Sequence, residues 1–165
     1  MRSMSLVLLS LFAVPCAYAG AWGYGAFEND DALDWLAELE STSGTQLLEA
    51  TVRQVDTRAK YVEAPICSIA LAAAEVIAAA SGHAGKNLPI EVTAWVKRVR
   101  PAVGATLRAE ARASVEKCRD SKNSELRELW QESKDKKLWL QDTADLITRL
   151  AGASSKNLLE RTLER

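Results

Sequence analysis

The residues best suited to chemistry are carboxylates near the start of the chain. Glu28 and Asn29 precede Asp30, Asp31 and Asp34, and the four-residue spacing of Asp30 and Asp34 puts both on one helix face, where they could hold a hard cation or act as an acid/base pair. The same residues also suit a helix start. Asn or Asp there caps free backbone N–H groups, and each early negative charge is favourable by up to about 1 kcal/mol. Glu75 is the second carboxylate of note, because it interrupts the alanine-rich stretch Ala72-Ala73-Ala74-Glu75. A carboxylate in such a buried setting needs hydrogen bonds or a cation. Backbone amides of the N-terminal segment, or Arg108, are its expected partners, in a structural role.

Other constellations commit to less. His83 is the only histidine and lies in Gly82-His83-Ala84-Gly85, whereas a catalytic triad or a zinc site draws on several such groups. Gly23-x-Gly25 is half of a nucleotide-binding pattern with no strand before it, so a nucleotide reading fails. These glycines are expected to let the backbone thread between aromatic rings. Ser124-Glu125-Leu126-Arg127-Glu128-Leu129-Trp130 reads as a capped amphipathic helix whose Trp130 could anchor a protein interface. No residue set calls for a cofactor or a catalytic metal.

These residues must be positioned by helices. Apolar periodicity and capping residues mark helices over about Asp30–Ser41, Thr45–Tyr61 and Pro65–Ser81. Leu33, Leu36, Ala37 and Leu39 form the inward stripe of the first. The third is so rich in alanine that it should sit at the centre, with its neighbours close. Further helices run from Pro89 to the stop at Pro101, from Ala102 to about Asp120, from Ser124, and, after a break around Ser133 to Lys136, from Leu138 to the close at Gly152, with a tail from Ser155 that forms one short helix or frays. The expected fold is all-α: a compact orthogonal or antiparallel bundle of about six or seven short helices.

The N-terminus reads as a secretory signal. Arg2, the apolar run Met4–Val14, Pro15 and Ala17-Tyr18-Ala19 give a basic start, an apolar core and a small-x-small cleavage site. The run falls short of the about 20 residues that span a bilayer, so no stable membrane anchor is expected after cleavage. The organisation expected is a signal peptide over residues 1–19 and one helical domain over 20–165, periplasmic or secreted. Cleavage removes Cys16 and leaves Cys67 and Cys118, either a disulfide, as an oxidising compartment favours, or two buried thiols. Across 165 residues, 21 Lys+Arg meet 22 Asp+Glu, a formal net charge of −1, and no nucleic-acid partner is indicated. Residues 20–63 are strongly acidic, while residues 97–119 carry Lys97, Arg98, Arg100, Arg108, Arg112, Lys117 and Arg119 against Glu110 and Glu116.

The stretch Gly20-Ala21-Trp22-Gly23-x-Gly25-x-Phe27-x-Asn29-Asp30-Asp31-Ala32-x-Asp34-Trp35 closely resembles the opening of a bacterial family of small proteins, domain of unknown function 4259. The segments Ala72–Glu75 and Ser124–Trp130 look like its other recurrent segments. The resemblance implies a helical domain and carries no activity. Members of the family typically begin at this motif, so cleavage after Ala19 would regenerate that start at Gly20 and leave its free amine near Asp30, Asp34 or Glu75. The function expected is a protein-binding module in the cell envelope, using candidates among Trp22, Glu28, Asn29, Asp30, Asp31, Asp34, Trp35, Glu75 and Trp130. The alternatives are a metal-dependent or hydrolytic enzyme built on Asp30, Asp31, Asp34 and Glu75, or a structural protein without a specific ligand.

Overall fold

The structure, a computed structural model, describes residues 21–152. The proposed signal peptide, its cleavage site, Gly20 and the tail from residue 153 lie outside the described residues. The fold is all-α. Its helices are α1 (Asp30–Glu40), α2 (Gln46–Gln54), α3 (Ala64–Ala80), α4 (Ile90–Val99), α5 (Ala105–Asp120), α6 (Glu125–Gln131) and α7 (Lys136–Leu150). Extended pairing among the described residues is limited to two isolated bridges, Ala21 with Asn29 and Val62 with Ser124.

α1 starts where its sequence says it should. Asn29 is extended and its Oδ1 accepts the Ala32 N–H at 2.8 Å, with Asp30 and Asp31 in the first turn. At the other end the hydroxyls of Ser41 and Thr42 donate to the carbonyls of Glu38 and Leu39. Its inward face is Ala32, Trp35, Leu36 and Leu39. Leu33 and Ala37 face solvent, which rotates the expected stripe. The cause is Trp35, whose large indole takes an inward position and donates Nε1–H to Thr51 Oγ1 at 2.9 Å.

α2 ends well before the expected Tyr61. Val55 leaves helical geometry, and the Asp56 side chain accepts the Arg58 N–H at 2.8 Å, a local turn that competes with helix. Val55 and Val62 remain in the core, so apolar spacing ran on where the helix did not. Residue 62 instead meets α6: Val62 N–H donates to Asn123 O at 2.9 Å, and Glu125 N–H donates to Val62 O at 3.0 Å.

α3 contacts every other helix of the described residues. Its Ala70, Ala72, Ala73, Ala74 and Ala78 have no exposed surface, and side chains this small admit neighbours from all sides. The bond Cys67–Cys118 joins α3 to α5. α4 stops at Arg100, in the left-handed region at φ 47 before Pro101, and α7 stops two residues before Gly152 at φ 78. The uneven charge resolves into specific contacts. Arg98 donates to the Glu40 carbonyl at 2.6 Å at the C-terminus of α1, Arg53 of α2 pairs with Glu110 at 3.1 Å, and Lys117 donates to the Ala59 carbonyl at 2.9 Å.

Candidate functional site

The motif-bearing segment before α1 is a closed loop. Trp22 N–H donates to Glu28 O and Glu28 N–H to Gly25 O, both at 3.0 Å, while the Glu28 carboxylate accepts the Gly25 N–H at 2.7 Å. A Cβ placed on Gly23 would fall on that carboxylate. The two glycines therefore make room for the chain's own Glu28, which corrects the expectation that they thread between rings. Phe27 is buried, Tyr24 packs partly against the core, and Trp22 stands 59% exposed. Asn29 is the helix cap, Asp30 and Asp34 are exposed on α1, and Trp35 belongs to the core. Asn29, Asp30 and Asp31 thus sit at the start of α1, and Trp22 offers a large exposed ring.

Glu75 finds neither expected partner. The Arg149 guanidinium on α7 grips it with two bonds, Nη2 to Oε1 at 2.6 Å and Nη1 to Oε2 at 2.9 Å. Arg149 Nε reaches Asp145 at 2.7 Å, and its Nη1 also donates to the His83 carbonyl at 3.3 Å. Gly85 lies so close that a Cβ there would press on both Glu75 and Arg149. Burial draws down the proton affinity of Arg149, and its bonds to Glu75 and Asp145 more than offset this, so its pKa is raised. Arg108 goes elsewhere, to the vicinity of Gly152. Asp142 lies in the same field. Burial first, then the charges of Glu75, Asp145 and Glu28, lift its carboxyl to about 6 from 3.8, against the opposing pull of Arg149. The fold thus gathers Glu75, Asp142 and Asp145 around one guanidinium. Among the described residues no three His, Cys, Asp or Glu are placed to hold a metal ion.

Trp130 belongs to a different arrangement. Its ring stacks on Trp139 of α7 with centroids 5.6 Å apart and planes within 9°, beside a groove of about 220 Å³ between the end of α5, α6 and the start of α7. Trp139 is buried and Trp130 half-buried. Arg119, Arg127 and Lys136 line the groove with Asp120 as its one carboxylate. Ser124 fixes this corner: wholly buried, it donates to the Cys118 carbonyl at 2.8 Å and accepts the Arg127 N–H at 3.3 Å. Its Oγ also lies 3.7 Å from Cys67 Sγ. The cap of α6 is thereby tied to the disulfide between α3 and α5. A second hollow, of about 320 Å³, lies over α4 beside Ile90 and Trp95. Glu40 and Glu91 line it opposite Arg98, whose guanidinium is already committed to carbonyls of residues 40 and 42.

Sequence reasoning missed Arg149, Asp142, Trp139, Arg119 and Lys136. Arg149 carried a signal, since it interrupts the apolar positions Leu146 and Leu150 four residues after Asp145 and so had to enter the core with partners. The groove carried none, because its cations come from three helices.

Comparison with known proteins supports the family resemblance. Neither curated proteins nor solved structures yield a match. The family model described as Domain of unknown function (DUF4259) matches residues 20–142, which takes in the Glu28 loop, Glu75, the disulfide and both tryptophans of the groove. On that match, which covers most of its length, the chain belongs to the DUF4259 family.

Proposed function

We propose that this chain is an exported binding module that works by protein–protein contact, and that its contact surface is the groove beside Trp130. One observation carries the reading: a stacked indole pair edges a concave surface whose Arg127 and Lys136 make no ion pair with any described carboxylate. Aromatic anchors with arginine beside them are the residue types that concentrate binding energy at interfaces. Of the carboxylates of the enzymatic alternative, Glu75 is committed to Arg149, and Asp30 and Asp31 lie in the first turn of α1. Export is supported by the signal-like layout of residues 1–19 and by a disulfide of the kind that persists in oxidising compartments.

Two measurements test the reading. Intact mass of protein recovered from its own cells without reductant should match a chain starting at Gly20 less two hydrogens. A full-length, reduced chain would defeat the export part. A photo-crosslinker at Gln131 should capture a reproducible envelope protein, and Trp130→Ala should abolish that capture while the protein remains folded. Capture that is absent, or unchanged in the variant, would defeat the binding part.

A further inference from the structure

We infer that the groove between α5, α6 and α7 recognises a carboxylate, and that its occupant is an acidic segment of a partner protein: an Asp or Glu side chain with an apolar neighbour. This rests on the binding-module reading and names the chemistry of the partner.

The charge within the groove is unbalanced. Arg119 reaches Asp120 only at 3.4 Å. Lys136 spends its ammonium on a neutral acceptor, Gln131 Oε1, at 2.6 Å, and Arg127 pairs with no described carboxylate. Arg119 Nε is buried without an acceptor among the described residues. A buried donor left unsatisfied is destabilising. Lys136 also occupies the first turn of α7, which contains no acid. A cation is unfavourable at that end of the helix dipole, and an anion is favourable. Three cations from three helices therefore converge on a space lined by a single carboxylate, Asp120.

Size and lining select among anions. About 220 Å³ accommodates one or two side chains, and the half-buried Trp130 and Leu140 supply an apolar flank that a free phosphate would leave unused. A nucleic-acid strand fits less well, because base stacking needs an open ring face. The stack covers one face of Trp130 and one of Trp139, and Trp139 is only 2% exposed. An acidic residue beside Leu, Val or Phe uses both halves: guanidinium and ammonium groups for the carboxylate, and the indole edge for the apolar side chain.

The test is a C-terminally amidated octapeptide array probed with the disulfide-bonded chain, followed by calorimetry on the best binders. Bound peptides should be enriched in Asp or Glu next to an apolar residue. Arg127→Gln and Lys136→Gln should each raise Kd about tenfold, with unchanged thermal melts, and added salt should weaken binding. Two separate charge variants guard against one misfolding. Apolar peptides bound without acids, with Kd unmoved by either variant, would overturn the carboxylate inference and leave the binding module standing. An array with no binder, together with failed crosslinking at Gln131, would remove both. Inorganic phosphate binding as tightly as the best peptide, or an oligothymidylate binding more tightly, would overturn the choice of an acidic protein segment.

Discussion

At the scale of single residues, Glu75, Arg149 and Asp142 make opposite demands on the fold. Glu75 and Arg149 are both nearly inaccessible, so removing either charge strands the other in a poor dielectric. Glu75→Gln should cost about 3–5 kcal/mol in denaturant melts, whereas Glu75→Leu with Arg149→Met should be more stable than either single variant, since a buried pair exchanged for apolar groups is often close to neutral. Asp142 behaves differently, because its carboxyl is raised to about 6 from 3.8. The folded chain holds that proton more tightly than the unfolded chain does. The contribution to stability is therefore fully present below about pH 4, is lost as the pH rises through about 6, and leaves a cost at neutral pH. Two pH units correspond to about 3 kcal/mol. Solvent screening of this half-buried group reduces that to about 1–2 kcal/mol. Asp142→Asn should accordingly stabilise the protein by about that amount at pH 7.5 and by almost nothing at pH 4, measured as paired denaturant midpoints.

At the scale of elements, α6 depends on one side chain. Ser124 caps it, holds the Cys118 carbonyl and sits against the disulfide, while its backbone neighbours pair with Val62. Ser124→Ala should cost about 1–3 kcal/mol. Hydrogen exchange should locate the loss in α6, at the Arg127 amide first, and protection in α3 should fall no further than the global stability does. The start of α6 was readable because a serine cap precedes an acidic first turn. The end of α2 was not, because Val55, Ala59 and Val62 keep apolar spacing through a turn made by Asp56. Burial without helix produces the same pattern as burial within it.

For the whole molecule, the disulfide and the alanine-rich α3 do the organising. Cys67 and Cys118 are 51 residues apart in sequence, and closing a loop of that length stabilises by about 4 kcal/mol in the chain-entropy model. Cys67→Ala/Cys118→Ala should lower stability by about that much. Reductant should bring wild-type protein to the same denaturant midpoint, and no shift would mean that the bond is not formed in solution. The sequence by itself determined the helical class, most helix starts, the central place of α3 and the two cysteines. Each follows from local capping, side-chain size or periodic burial, which a chain expresses within a few turns. It also marked Glu75 as needing a partner, since a carboxylate among alanines must be compensated. Only the tertiary structure decided that Arg149 compensates it, that Gly23 and Gly25 serve Glu28, and that Arg119, Arg127 and Lys136 converge beside Trp130 and Trp139. Those arrangements join groups from separate helices or depend on loop geometry, and their electrostatics arise only when burial removes water from between the charges.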